Sequence, residues 1–480
     1  MESKKSDEYH VSFNLINNTR KSRFPWYIYF CGWIADLLII SNGMVMAWSS
    51  PVLPQLQSNN TDINPLGSAI STLEVSLIAT IPGLSATIAF SFWAKIIDKI
   101  GRKQTMRLIS ILLLCSLITT ALSRYIFIYY ISLAVTGASL SGGLLSVAVY
   151  NTEIAEENNR GQLSCMMATH LPIGMLLMYI FGSMTGVRSL TLICIIPVIL
   201  HLSFSFCIPE SPVFLLSKNR LSEASKALRK LRRLESSADV DFEFKKIKET
   251  SIDTFEKSSF FEIIRDPCAR LAYILSMQLF IIEQFSGILV IVMYVAPIFN
   301  ESGSALSGNH VGIVVGVVKL LTFSLATYFT DKLGRRILLL ISTFLCAISM
   351  FFLGLYFYLK HVGSPIVENL QWAPILCVVL YITVYAFGLG SVPMAFAGEV
   401  FLDRLRVRGV ALVMISVGCF SSVNTFCFPL IANHFGLYCV FWICSSTSIV
   451  GLISIYFSIP ETRGKTFEDI QNILKMRMKR

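Results

Sequence analysis

Long apolar runs dominate the hydropathy pattern of this chain. Each run is about as long as the ~20 residues that a helix needs to cross ~30 Å of hydrocarbon, and polar residues collect between the runs. The pattern predicts an all-α integral membrane protein with twelve transmembrane helices. They lie near residues 26–47, 72–94, 105–123, 125–150, 162–187, 189–208, 271–299, 311–330, 337–359, 372–398, 409–432 and 438–459.

Two motifs recur at matching places in the two halves of the chain, one after spans 2 and 8 and the other after spans 4 and 10. The first motif is Asp98-Lys-Ile-Gly-Arg-Lys103, which recurs as Asp331-Lys-Leu-Gly-Arg-Arg336. The second is Glu153-Ile-Ala followed by Arg160, which recurs as Glu399-Val-Phe followed by Arg406 and Arg408. The chain therefore reads as a duplicated six-span unit that forms two pseudo-symmetric six-helix bundles. Two bundles around a central cavity are what a rocking transporter needs.

The spans also divide the chain into segments. We expect two bundles, two tails and a polar central segment, with boundaries at 1–25, 26–208, 209–270, 271–459 and 460–480.

The central segment contains a regular apolar repeat. Leu221, Ala224, Leu228 and Leu231 recur at helical spacing within residues 218–233. This spacing predicts an amphipathic helix on the inner surface.

The distribution of charge predicts the orientation of the chain. The sequence is 54% hydrophobic and 15% charged, with a net charge of +10. Lysine and arginine concentrate in the tails, the central segment and alternate short loops, and the other loops hold only Arg124, Arg188 and Lys360. This positive-inside bias predicts cytoplasmic termini. The basic excess then faces the anionic cytoplasmic leaflet, so it does not indicate a nucleic-acid partner.

The composition argues against several other classes of protein. Most of the 12 cysteines fall within apolar spans and no CxxC pair occurs, so they read as small apolar residues rather than disulfides or metal ligands. Because the sequence has no nucleotide-binding loop, metal constellation or nucleophile–base arrangement, we expect no enzyme activity and no cofactor. For the single imidazoles His170 and His201, packing or a helix–helix hydrogen bond is favoured, and a metal site or proton relay is the alternative.

Opposite charges face one another at the predicted inner ends of the helices. Ion pairs among them could close the inner side and would have to break when it opens. The alternative is a solvated cluster that only sets topology. We call this set the inner gate: Asp98, Arg102, Glu153, Arg160, Glu210, Asp331, Arg335, Arg336, Glu399, Arg406, Arg408 and Glu461.

Three further motifs complete an ordered set across both halves. They are Pro209-Glu210-Ser211-Pro212, Glu283-Gln284-Phe-Ser-Gly287-Ile288 and Pro460-Glu-Thr-Arg-Gly-Lys465. With the paired DKxGR loops, the chain resembles the sugar porter family of the major facilitator superfamily over about residues 30–470, and most closely insect sugar transporters of the facilitated trehalose transporter type. The resemblance implies facilitated transport of a sugar, and no cofactor.

The residues that the resemblance assigns to solute contact depart from the family pattern. Span 7 of the family usually reads Gln-Gln-x-Ser-Gly-x-Asn, and span 10 usually carries a Trp after its proline. The matching positions here are Glu283, Gln284, Ser286 and Leu289 in span 7, Ala168 in span 5, Lys319 in span 8 and Met394 in span 10. In span 11, Gly418 replaces a second Trp. The sequence therefore indicates the fold more clearly than the substrate.

Glu283 and Lys319 are the most informative of these departures. An ionisable group in mid-span is costly unless it faces a cavity or a partner. We expect the two to pair across the central cavity or to contact a polar solute together. The alternatives are a structural ion pair between spans 7 and 8, or a lysine that reaches outward to the interface.

Asp36 is the other mid-span acid. Proton-coupled relatives often carry an Asp in span 1 and an Arg in span 4, but the matching positions here are Val45 and Leu133. Asp36 lies about two turns earlier, so we do not expect it to substitute. The resemblance therefore favours facilitated flux over proton symport.

The reading that follows is a cell-membrane transporter, active as a monomer, that moves a hexose or a trehalose-like disaccharide down its gradient by alternating access. The rivals are a carrier of another polar or charged solute, a proton symporter, and a sugar sensor without net transport. Asn59 and Asn300 begin glycosylation sequons on the predicted outer loops. Asn17 begins another in the N-terminal tail, where it should stay unmodified.

Overall fold

The computed structural model of the chain describes residues 26–156, 158–232, 244, 260–303, 306–401, 403–461, 469 and 476. Twelve helices among them are long and apolar enough to cross a membrane, which confirms the predicted number of spans. The Asn17 sequon and the first tail lie outside the described residues.

The first six spans precede the central segment, and spans 1 and 6 are each built from two helices. Their helices are Trp26–Ala47 with Ser49–Leu56, Thr72–Ile100, Arg102–Leu122, Ile126–Ile154, Arg160–Gly182, and Val187–Ile193 with Ile195–Phe204.

The second six spans follow the central segment, and spans 7 and 10 are interrupted. Their helices are Pro267–Phe285 with Ile288–Ser302, Gly308–Leu333, Arg335–His361, Ala373–Phe387 with Val392–Val400, Asp403–Phe435, and Leu437–Ser458. In the described part of the chain, four short helices lie between the spans: Pro212–Ser217, Leu221–Arg232, Phe260–Arg265 and Ile366–Asn369.

The repeated DKxGR motif has a local structural reason. Gly101 and Gly334 occupy the sharp turns into spans 3 and 9 with φ of 100° and 89°. Side chains rarely adopt such angles, so the turn requires glycine. The following basic residues, Arg102 and Arg335, are the first of their helices. The motif thus encodes the same turn in both halves.

The helix of the central segment is confirmed at Leu221–Arg232. Ala224, Leu228 and Leu231 are buried, but their apolar face packs on the protein, partly against Phe214 and Leu215 and partly against the start of span 1. Leu221 is 57% exposed, so its place on that face was wrong. As the first residue of the helix, it precedes the turn that packs.

Three contacts join the two bundles on the side away from the central segment. We call the two ends of the molecule the central-segment face and the far face. Tyr179 of span 5 donates to the Val292 carbonyl of span 7 at 2.8 Å. The Ala296 amide of span 7 donates to Ser50 of span 1 at 3.1 Å. Gly316 of span 8 lies against Leu176 of span 5. All three contacts belong to the far half of their spans.

Candidate functional site

The interruption of span 7 exposes polar groups in the middle of the membrane. The first helix ends at Phe285, Gly287 adopts φ of 110°, and the second helix starts at Ile288. Only glycine takes this left-handed conformation readily. The break presents Glu283 and Ser286 to span 10, as expected for discontinuous helices that bind solutes near the midplane.

Two tyrosines of span 10 bond to these groups. The Tyr385 hydroxyl donates to the Glu283 carboxylate at 2.8 Å. The Tyr381 hydroxyl lies 2.8 Å from the Ser286 hydroxyl. The two rings stack with centroids 5.9 Å apart. Sequence reasoning missed both tyrosines; their spacing of one helical turn, just before the Gly388 break, was the available signal.

Gln284 presents a free acceptor. Gln284 is 9% exposed, and its side-chain oxygen Oε1 has no hydrogen-bond partner among the described residues. The Asn424 side chain of span 11 donates to the backbone carbonyl of Gln284 at 2.7 Å and fixes the backbone at the break. A buried amide oxygen without a donor is a group that a solute hydroxyl could satisfy.

Lys319 lies close to the same cluster without bonding directly to Glu283. Its Nζ is 5.7 Å from the centroid of the Phe323 ring, and that ring packs on Tyr385 with centroids 6.3 Å apart. No ion pair within 4.0 Å joins Lys319 to Glu283 in the described part of the chain. Lys319 is 8% exposed, so it does not reach outward. The structural ion pair between spans 7 and 8 is not formed in this conformation.

The other predicted contact positions differ in their surroundings. Leu289 packs against the apolar core. Ala168 and Met394 are exposed. Ala168 lies three turns before Tyr179 on the same face of span 5, the face that meets the second bundle near the far face. A Cβ on Gly418 would collide with Thr87 of span 2, so the missing Trp of span 11 permits close contact between the bundles.

The inner-gate residues of the first half form one network. Arg102 pairs with Glu153 at 2.7 Å and with Asp98 at 3.4 Å. Glu210 accepts from the backbone amides of Arg102 and Lys103 at 3.0 and 3.1 Å. A carboxylate at the positive end of a helix is stabilised by the helix dipole. The Ser211 hydroxyl donates to Glu153 as well.

The second half repeats this network. Arg335 pairs with Glu399 at 3.0 Å, and Glu461 accepts from the backbone amides of Arg335 and Arg336 at 3.0 and 3.1 Å. These pairs join helices of the same bundle, so they stiffen each bundle rather than tie one to the other. Their role as a gate that opens and closes stays a prediction.

Four inner-gate residues are not among the pairs described above. Arg160 is exposed and forms no ion pair within 4.0 Å among the described residues. Arg408 is half-buried. The side chains of Asp331 and Arg406 lie outside the described residues.

The two isolated histidines both lie beside a polar group of a neighbouring helix. His201 is fully buried and its Nδ1 lies 2.8 Å from the Ser110 hydroxyl. His170 of span 5 lies 3.3 Å from Asp36 of span 1. This carboxylate beside His170 could not be expected from the sequence, because it comes from another span. Val45 and Leu133 are buried apolar residues. The described residues contain no group of three or more metal-ligating side chains.

Both predicted outer sequons lie on the far face. Asn59 is exposed in the loop after span 1. Asn300 is exposed in the last turn of the second helix of span 7, and its side-chain oxygen accepts from the Gly308 amide at 3.0 Å.

Two six-helix bundles around an interrupted-helix site define a secondary transporter of the major facilitator type. A family model described as "Sugar (and other) transporter" matches residues 27–474, and the chain belongs to that family. It is a multi-pass membrane transporter and not an enzyme.

Curated relatives from insects match most of the chain. A facilitated trehalose transporter Tret1 of Apis mellifera ligustica is 29% identical over 448 residues, with 91% of this chain and 86% of the relative covered. Trehalose transporter 1 of Drosophila melanogaster is 29% identical over 449 residues, with 91% and 50% covered. The Tret1 of Aedes aegypti is 28% identical, with 93% and 55% covered.

Solved structures of the E. coli xylose transporter XylE share the fold. The inward-open conformation superposes with a TM-score of 0.78 at 21% identity, covering 93% of this chain and 99% of XylE. The same protein bound to 6-bromo-6-deoxy-D-glucose gives a TM-score of 0.69, also at 21% identity and with the same coverage.

Proposed function

We propose that this protein carries a sugar, a hexose or a trehalose-like disaccharide, down its gradient across the cell membrane by alternating access. The insect relatives, named as trehalose transporters, support the substrate class. The concentration of lysine and arginine supports a cytoplasmic central-segment face and cytoplasmic termini. A single chain carries both bundles, so the working unit is proposed to be a monomer.

The observation that carries the proposal is the set of hydrogen-bonding groups at the span 7 break. Glu283 and the Gln284 amide oxygen supply acceptors, and the hydroxyls of Ser286, Tyr381 and Tyr385 supply donors and acceptors. A sugar hydroxyl donates one hydrogen bond and accepts others, so this mixture matches its chemistry.

The contacts between the bundles support an inward-facing state. The bundles touch near the far face through Tyr179 and Ser50, and the inward-open form of XylE superposes better than the sugar-bound form. In this state a solute would enter or leave on the central-segment side. The inner-gate networks would keep each bundle rigid while the bundles move.

A carrier of a charged or zwitterionic solute is the second candidate. Glu283 and Lys319 lie in the middle of their spans without a direct ion pair between them. A solute that bears an ammonium or carboxylate group could pair with one of them. Whether the protein carries a neutral sugar or a charged solute therefore depends on Glu283 and Lys319.

Counterflow in proteoliposomes tests the proposal. Purified protein is reconstituted with unlabelled solute inside, and entry of labelled trehalose, D-glucose, a neutral polyol and a zwitterionic amino acid is followed. We expect accumulation of at least one sugar. Glu283→Gln and Lys319→Asn restore the residues usual in the family, so they should broaden sugar selectivity at normal expression. Counterflow of the amino acid alone would favour the second candidate, and no counterflow of any solute would favour a sensor.

A further inference from the structure

The Asp36 carboxylate is sealed inside the first bundle. The residue is 0% exposed. Its Oδ1 accepts from the Asn151 amide of span 4 at 2.9 Å, and its Oδ2 lies 3.3 Å from Nδ1 of His170. Neither lysine nor arginine lies within 4.0 Å of it in the described part of the chain. Among the described residues, the basic group within 4.0 Å of it is therefore the His170 imidazole.

The position of the imidazole proton follows from a second contact. His170 Nδ1 lies 2.6 Å from the carbonyl oxygen of Met166. A carbonyl can only accept, so Nδ1 carries the proton and donates it to Met166. Asp36 Oδ2 is buried and has no hydrogen-bond partner among the described residues, which leaves it open to a proton. The His170 side chain keeps 10% of its surface exposed, whereas that of Asp36 keeps none. Protons can reach the carboxylate through the imidazole.

The seam between spans 1 and 5 leaves little room for water. A Cβ on Gly43 would collide with the Leu171 carbonyl, and one on Gly174 with the Ile40 carbonyl, so the two backbones touch. A carboxylate in such a seam is costly without a cation or a proton.

Other ionisable groups on spans 1 and 5 and on the helices packed against them are engaged elsewhere or lie at the ends of the spans. They include Glu153 with Arg102, His201 with Ser110, Tyr150 with the Pro209 carbonyl and Tyr179 with the Val292 carbonyl. They also include Lys319 beside Phe323, Lys230 beside Tyr27, Tyr29 with Gln162, the exposed Arg160, Glu301 at the far face, the buried phenol Tyr129, the half-buried thiol Cys165, and the buried thiols Cys31 and Cys194. None of them competes with His170 for Asp36.

We propose that Asp36 and His170 form a proton-binding site whose occupancy controls the rate of solute exchange. A proton taken from water is held either as an imidazolium beside a carboxylate or as a carboxylic acid beside a neutral imidazole. Both arrangements are neutral overall and fit the dry seam. Loss of the proton leaves a buried negative charge and drives spans 1 and 5 apart. The site differs from the positions of Val45 and Leu133, where proton-coupled relatives often carry their pair.

The pH dependence of counterflow tests this inference, with equal pH on both sides of the membrane so that no proton gradient drives the solute. Labelled trehalose and D-glucose are the probes. We expect wild-type exchange to fall with rising pH by up to about tenfold per pH unit, as for release of one proton. Asp36→Asn and His170→Gln should each flatten the profile. His201→Gln, a buried histidine of the same bundle without a carboxylate, should keep the wild-type profile.

An infrared difference spectrum of the purified protein at two pH values reports the same proton without transport. We expect a carboxyl band that changes with pH in the wild type and is absent from Asp36→Asn. A flat wild-type profile, equal profiles in Asp36→Asn and wild type, or an unchanged band in Asp36→Asn would each overturn the inference. The inference uses the proposed function only as a readout: no counterflow at any pH contradicts that function, whereas the band still tests the proton site.

Discussion

The hydroxyl of Tyr385 offers a narrow test of whether Glu283 binds solute. It donates to the Glu283 carboxylate at 2.8 Å, and Tyr385 is only 4% exposed. A hydrogen bond to a charged group contributes about 1.5–3 kcal/mol. Tyr385→Phe removes this bond but keeps the ring that stacks on Tyr381. The change is therefore confined to the orientation and solvation of one carboxylate.

We expect Tyr385→Phe to weaken solute binding more than turnover. Without the hydroxyl, Glu283 loses the donor that holds it toward the span 7 break, and the solute must align it. The energy of one such bond corresponds to an increase in KM for counterflow of about 10- to 100-fold. The maximal rate should change little, because the contacts that hold the bundles together are untouched. Initial rates over a range of labelled sugar concentrations give both constants.

A matched variant separates a binding effect from a packing effect. Tyr356 is also buried, and its hydroxyl donates to the Ser302 carbonyl at 3.1 Å near the far face. Tyr356→Phe should leave KM unchanged. In a double-mutant cycle, Tyr385→Phe should add nothing once Glu283 is glutamine, because both variants act through one group. Equal KM values for Tyr385→Phe, Tyr356→Phe and wild type would refute a role for Glu283 in binding.

Three further predictions follow from the turns, the ion pairs and the sequons. Gly101→Ala should lower stability by about 1–3 kcal/mol, because φ is 100° and the new Cβ would lie 2.5 Å from a carboxylate oxygen; Gly67→Ala, with φ of 80° but open space, should cost less in the same thermal unfolding assay. Arg102→Gln should lower stability by about 2 kcal/mol while counterflow persists, and a loss of exchange with an unchanged melting temperature would instead favour the gate. Asn59→Gln should abolish most of any glycosidase-sensitive gel shift, whereas Asn300→Gln should abolish little, because its amide is engaged in a folded helix end.

The number of spans could be predicted because it depends only on local sequence. Each span is a continuous apolar run, and the twelve runs correspond to twelve spans in the described part of the chain. The glycine turns were equally local, since Gly101 and Gly334 mark the same motif. The interruption of span 7 was visible only as a motif, and the position of its break needed the backbone angle of Gly287.

Side-chain partners from distant spans could not be predicted. Tyr385 is 102 residues from Glu283, and Asn151 is 115 residues from Asp36. Hydropathy reports that a residue is within the membrane but not which neighbour its side chain meets. For the same reason the sequence grouped the inner-gate charges without showing that Arg102 pairs with Glu153 and Arg335 with Glu399, each within one bundle.

The two mid-span carboxylates lie in different bundles and act on different properties. Asp36 meets His170 inside the first bundle, whereas Glu283 belongs to the span 7 break, with Lys319 nearby in the second bundle. A change of pH should therefore act on the packing of spans 1 and 5 and change the rate for all solutes equally. A substitution at Lys319 should change the preference among solutes and leave the pH profile intact. If Lys319→Asn altered the pH profile, or if His170→Gln altered the order of preferred sugars, the two pairs would have to be treated as one coupled site.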